Sequence, residues 1–327
     1  MSVSTPHVSW DLVTDWEQLT AYPFMVQALE AGAIVAVMAG AIGWFMVLRR
    51  QTFAGHTLAI ISFPGAAAAT LAAIPIAIGY FGACGLGALA LAAVGRDGRN
   101  GRAGESAAIG TVQAFALGLG FLFVGLYGGQ LAGLESLLFG TFLGITKGQV
   151  VTLLCIAVAT LLLLAAIARP LFFASVDASV ARAGGVPTRL LGVAFLLLLG
   201  MAVAATAEIT GALLVFALLV TPAATAQLLT ARPALGLVLS VVLAFLVTWL
   251  GLGIAYFSPY PVGFWVTSLS FGLYVLVRLA VELRHPDRGR PTARPPGRGR
   301  PNVRIPGQRT TAAGGPGQRT TAGGAGV

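Results

Sequence analysis

GALLVFALLVTPAATAQLL, residues 211–229, carries no charged side chain along its whole length. About 20 apolar residues cross the ~30 Å hydrocarbon core of a bilayer, and this run approaches that length. Hydrocarbon holds no water to satisfy backbone N–H and C=O groups, so the run must be helical. Pro222 removes one donor and presses its ring on the preceding turn, which predicts a kink there. Ala223, Ala224, Thr225 and Ala226 follow it. Small residues let a neighbouring helix approach closely, and packing rather than hydrophobicity holds helices together in lipid. The stretch therefore reads as a broken helix inside a bundle.

Composition extends this reading to the whole chain. Of 327 residues, 57% are hydrophobic and only 9% are charged, with a mean hydropathy of +0.87. Soluble domains are about 25% charged, so a polytopic membrane protein is expected. The formal net charge of +9 raises a nucleic-acid reading, but its placement argues against one. Residues 1–284 hold Lys147 and eleven Arg against ten acids, whereas residues 285–327 hold eight Arg against Asp287 alone. The basicity belongs to a tail, which suits a solvated end near anionic lipid and no nucleic-acid partner. Cys84 and Cys155 both fall in apolar runs and give no disulfide framework. The first residues show neither the basic region nor the cleavage site of a secretory leader.

Residues 1–25 are mixed and acidic, carry Trp10, Trp16 and Tyr22 for a membrane interface, and are expected to lie outside the cytoplasm. Spans are expected at Val26–Leu48, about Thr57–Ile76, Ile78–Val94, Ser106–Tyr127, Val150–Ala168, Leu190–Thr206, Gly211–Leu229, Leu235–Phe257 and Val262–Val281. Gly128–Lys147 is too polar and glycine-rich for a span and reads as a short helix at the outer surface. The arginines at 49–50, 96–102, 169–189 and 232 then share one side, which the positive-inside rule makes cytoplasmic. Lys147 is the lone exception. The N-terminus is thus expected outside and the C-terminus inside, in the cell membrane. Residues 26–284 form the transmembrane domain. Residues 285–327, rich in Arg, Pro and Gly, are expected to be a disordered cytoplasmic tail, in which PGQRTTA occurs twice.

Four segments, in order, resemble the membrane subunit of metal-ion ABC transporters, the zinc, manganese and iron(II) uptake permeases. They are LRRQTFAGHTLAIISFPGA at 48–66, LESLLFGTFLGIT at 134–146, VDASVARAGGVP at 176–187 and the opening stretch at 211–229. Together they span roughly residues 26–283. The resemblance implies an all-α, polytopic bundle of about eight or nine transmembrane helices with the architecture of vitamin-B12 and metal importers. It also implies that residues 170–190 include the coupling helix that fits a cleft in an ATPase. Asp177, Ala181, Gly185 and Pro187 match that pattern, and Arg182 lies between them. Pro64, Gly65, Gly211 and Pro222 are expected at helix kinks along the pathway. A short cytoplasmic segment flanked by Gly184-Gly185 suits the docking of a soluble engine on physical grounds as well.

The chain shows no engine of its own. A Walker A loop needs a lysine to reach the phosphates, and the single lysine, Lys147, precedes Gly148 outside any such motif. The resemblance implies a partner that alone binds ATP, an ABC ATPase subunit, together with an extracytoplasmic metal-binding protein and a second permease copy. No resident cofactor is expected, and a divalent ion, zinc or manganese, is the cargo.

Metal ligands are sparse. The family often places an Asp and a His four residues apart early in its second helix, on one face. Aligned on Arg49-Arg50 and Pro64-Gly65, His56 takes the Asp position and Ile60 the His position, so the pair is altered. His56 is therefore one candidate ligand and an interfacial residue in the competing reading. Glu208 is the other candidate, because an acid between two spans faces either a pathway or the headgroups. So few donors point to selectivity residing in the binding protein. Two alternatives stand beside a metal-ion importer: an ABC permease for a metal chelate or other small solute, and a secondary transporter needing no ATPase. The latter usually places ionisable groups at mid-membrane, and these spans are nearly empty of them.

Overall fold

The computed structural model describes residues 11–94, 102–127, 137–138, 140 and 144–284. Eleven helices order the described residues: α1 (Leu12–Thr20), α2 (Pro23–Leu48), α3 (Thr52–Leu71), α4 (Ile76–Val94), α5 (Arg102–Tyr127), α6 (Lys147–Val176), α7 (Ala178–Ala183), α8 (Thr188–Thr210), α9 (Ala212–Leu229), α10 (Pro233–Tyr256) and α11 (Val262–Arg284). Their boundaries follow from local chemistry. Pro23 and Pro233 open α2 and α10 at the first helical position, where a missing N–H costs nothing. Thr146 and Gln149 cap each other's backbone at the start of α6.

Among the described residues, eight helices are long and apolar enough to cross a membrane: α2–α6, α8, α10 and α11. The expectation of nine crossings counted α9, which is the shorter apolar helix of the set. The most apolar window of α2 is 72% buried and that of α8 is 67%, against 11% for α5 and α11, so the first two form the core and the last two the rim. α9 lies within the bundle and packs on α2, α3, α8, α10 and α11. Leu86, Phe115, Leu126, Leu162, Phe271 and Leu276 stay exposed, as side chains that face lipid should.

Helices that lie in lipid gain little from hydrophobicity when they meet, so close backbone contact has to hold them. A Cβ at Gly43 of α2 would collide with the Leu219 carbonyl oxygen of α9. Gly65 of α3 and Gly79 of α4 face each other the same way, each lying where a side chain would strike the other's carbonyl. Gly65, expected at a kink, therefore serves the α3–α4 contact. Polar side chains add cross-links: Ser240 Oγ donates to the Gly40 carbonyl (2.7 Å), and Gln113 Nε2 donates to Thr57 Oγ1 (2.8 Å). α1 rests against α10, with Trp16 stacked on Trp249 at 5.9 Å and the Tyr256 hydroxyl donating to the Gln18 carbonyl.

Three differences from the sequence expectations have physical reasons. α6 runs through Arg169-Pro170 to Val176, because Leu171 continues its buried stripe, so the polar interruption expected from 169 begins only at Asp177. The helix of 211–229 runs unbroken through Pro222, and the interruption of the apolar run falls at Gly211 between α8 and α9. α2 starts at Pro23, a turn earlier than expected, on the proline's fixed φ. Residues 1–10, most of the surface segment expected at 128–147, and the tail 285–327 lie outside the described residues.

Candidate functional site

The α6–α8 connection is built around Asp177, which ends one helix and caps the next. Its Oδ1 accepts from the Ser179 hydroxyl (2.6 Å), the Ser179 N–H (2.9 Å) and the Val180 N–H (3.1 Å). These donors, the Ser179 hydroxyl first, hold the Asp177 carboxyl below its ordinary value by favouring the anion. Arg182 turns back along α7 and donates from Nε to the Ala178 carbonyl (3.0 Å). Ala181 is fully buried, whereas every other residue from Val176 to Gly185 is exposed. A single alanine thus seats the short helix and leaves Val176, Val180 and Arg182 outward.

The exit from α7 is a tight corner. The Val186 N–H returns to the Ala181 carbonyl and the Gly185 N–H to the Arg182 carbonyl, both at 3.0 Å. This paired pattern needs a left-handed residue, and Gly185 supplies it with φ +78°. Pro187 follows as the N-cap of α8. Asp177, Ala181, Arg182, Gly185 and Pro187, all singled out in the sequence, therefore form one continuous rigid knob between two long helices.

Inside the bundle, α3 and α9 meet at His56. Its ring packs edge-on against Phe216 at 4.8 Å, and its buried Nδ1 has no hydrogen-bond partner. Ile60 stands one turn further along α3, on the same face as His56. Pro64 and Pro222 each withhold the N–H that a carbonyl four residues earlier would receive, those of Ile60 and Leu218. The sequence offered no signal for Phe216 as the partner of His56, because a lone phenylalanine in an apolar run is indistinguishable from lipid-facing residues.

Glu208 lies elsewhere. The Cys84 thiol of α4 lies on the Leu58 carbonyl of α3 and the Cys84 carbonyl lies against Gly200 of α8, so Leu58 and Gly200 share a level. His56 precedes Leu58 by two residues and Glu208 follows Gly200 by eight, so at 1.5 Å per residue the two lie roughly 15 Å apart along the bundle and cannot share one ion. Glu208 is half-buried with Tyr80 as its electrostatic neighbour, and the Tyr80 hydroxyl donates to the Leu137 carbonyl (3.4 Å). Beside it Gly211 takes φ +77°, ψ 156°, a region open essentially to glycine, and Gly140 packs its backbone onto this junction. Among the described residues no three His, Cys, Asp or Glu side chains gather as a metal site.

The model of the ABC 3 transport family matches residues 21–281. The manganese transport system membrane protein MntC of Halalkalibacterium halodurans is 31% identical over 217 residues, covering 66% of this chain and 73% of that protein. The chelated iron transport system membrane protein YfeC of Yersinia pestis is 29% identical over 262 residues, covering 80% and 85%. Among solved structures, PsaBC from Streptococcus pneumoniae in complex with Fab superposes with a TM-score of 0.73 at 25% identity, covering 81% of this chain and 95% of the other.

Proposed function

The chain belongs to the ABC 3 transport family, and on that premise we propose that it is the permease subunit of an ATP-driven importer whose cargo is a divalent transition-metal ion. Manganese and iron stand ahead of zinc, because the named relatives are membrane proteins of manganese and chelated-iron transport systems. In this reading α7 is the surface on which a separate ATPase subunit pushes, an extracytoplasmic binding protein delivers the ion, and a second copy of the chain completes the conduit. The cell membrane is its location, with the arginine-rich end of the bundle in the cytoplasm and the N-terminus outside.

The observation that carries this reading is the knob from Asp177 to Pro187. It is seated by Ala181 alone, stiffened by three bonds to Asp177 and a left-handed Gly185, and continuous with two helices that reach into the bundle. A loop with no partner would not need such stiffness, whereas a lever does. α6, with 30 residues, is about 45 Å long, so it extends beyond a ~30 Å hydrocarbon core and can carry the knob clear of lipid.

The cargo moves through an interior short of chelating groups, so the permease conducts the ion and leaves its capture to the binding protein. The proposal is tested by reconstituting the chain in vesicles with and without its ATPase and binding protein. Mn(II) uptake that requires ATP and all three components is expected. Uptake by the chain alone would overturn the reading in favour of a secondary transporter.

A further inference from the structure

We infer that Arg49 is the positioning residue that ties movement of α7 to the start of α3, where His56 lies. This rests on the reading of α7 as the ATPase-driven lever. Arg49 caps α2, and its side chain touches both helices that carry α7. Nη1 donates to Oγ of Ser175 (3.3 Å), the penultimate residue of α6, and the Ser175 hydroxyl itself donates to the Leu171 carbonyl. The guanidinium carbon lies 5.3 Å from the ring centroid of Phe195 on α8, a fully buried side chain. Nε donates to Gln51 Oε1 (3.3 Å), the residue that opens α3. One planar group therefore joins α2, α6, α8 and the first residue before α3.

The electrostatics make this arrangement unusual. Arg49 is half-buried, and burial pushes its pKa down from the ordinary value. No carboxylate among the described residues pairs with Arg49 to offset its burial. Instead the charge faces the carbonyl ends of two helices, α2 and α6, whose partial negative charges it holds together. The corner that carries it is equally fixed. Gln51 N–H returns to the Met46 carbonyl (2.9 Å) and Arg50 N–H to that of Val47 (3.0 Å), with Arg50 itself left-handed at φ 56°. A shift of α6 relative to α8 must then either drag this corner or break the Arg49 fork. α3 leaves the corner directly, and His56 lies one turn along it.

A lysine keeps the charge at the two helix ends but cannot form the fork and the stack together. The test uses the permease assembled with its ATPase and binding protein in vesicles, reading Mn(II) ions imported per ATP hydrolysed. This ratio does not depend on expression level. Arg49→Lys is expected to keep ATP hydrolysis and lower the ratio by about tenfold, the factor carried by one charge-assisted hydrogen bond. Ser175→Ala, which leaves the arginine in place, should lower it by about threefold. A wild-type ratio in Arg49→Lys overturns the inference, and should that variant fail to assemble, a wild-type ratio in Ser175→Ala overturns it instead. Gly185→Val, measured beside them, separates the two readings: if it abolishes uptake while the Arg49 and Ser175 variants stay coupled, only the role of Arg49 is lost. If Gly185→Val imports normally, the lever reading fails first.

Discussion

The knob between α6 and α8 and the interior between α3 and α9 are made of opposite materials. The knob is polar and fastened: Asp177 accepts three bonds within 3.1 Å, Arg182 is pinned to Ala178, and a glycine corner closes it. The interior is apolar and sparsely held, with an unpartnered His56 nitrogen against Phe216 and two prolines that withhold backbone N–H groups. On the proposed reading, stiffness is concentrated where force enters and donors are scarce where the ion passes. Such a permease would move its cargo by helix shifts rather than by chelation, since tight binding inside a conduit slows release.

The sharpest way to break that contrast is at Gly185. Valine there would need φ +78°, a conformation that β-branched residues all but refuse, so α7 would lose its exit and its orientation. Uptake is expected to vanish while the protein still reaches the membrane, because nothing lies within 4 Å of a Cβ at this position. Normal Mn(II) uptake in a Gly185→Val strain would show that the knob is an ordinary loop.

His56 tests the other region. His56→Ala is expected to lower the maximal rate of Mn(II) uptake by about tenfold and to leave the KM, which the binding protein sets in this reading, unchanged. An unchanged maximal rate would show that the ion passes without meeting this imidazole.

A smaller effect belongs to Asp177. Its carboxyl is held below the ordinary range, by the Ser179 hydroxyl before the Val180 and Ser179 N–H groups, so it is lower in the folded chain than in the unfolded one. Its support of α7 is therefore present above about pH 4 and is lost as pH falls through its own lower value. Asn accepts the same cap bonds and does not titrate. Asp177→Asn should import within about twofold of wild type at pH 7, whereas Asp177→Ala should lose more. Equal losses in the two variants would mean that the charge, and not the cap, is what the ATPase meets.

The fold was legible because lipid allows so few solutions. Uninterrupted apolar runs such as 26–48 must be helices, and paired arginines mark where they end. The knob was legible from VDASVARAGGVP through its resemblance to the family's coupling segment and its glycine pair, whereas the capping role of Asp177 came from the structure. What escaped was everything that depends on the approach of distant segments. Nothing near Arg49 announces Ser175 and Phe195, which lie 126 and 146 positions away, so the arginine read only as a marker of sidedness. Pro222 read as the break because proline is the stronger local signal, yet neighbouring helices carry α9 through it. The break needed the backbone conformation of Gly211, which sequence does not display.

The finest comparison lies at the two ends of α3, which are closed by the same hydrogen-bond pattern. At Ala73 the N–H returns to Thr70 and that of Ile74 to Ala69, with φ 54°, matching Arg50 at the other end with φ 56°. Each places a side chain where glycine is at ease, at a cost of about 1 kcal/mol. Ala73→Gly and Arg50→Gly should therefore both raise Tm, by about 2 °C each. Only the second sits beside Arg49. If the inner corner transmits force, relieving its strain should loosen it, so Arg50→Gly gains stability yet imports fewer Mn(II) ions per ATP, while Ala73→Gly gains stability and stays coupled. A matched pair of variants with equal Tm gains and equal coupling would show that the two ends of α3 differ in charge alone.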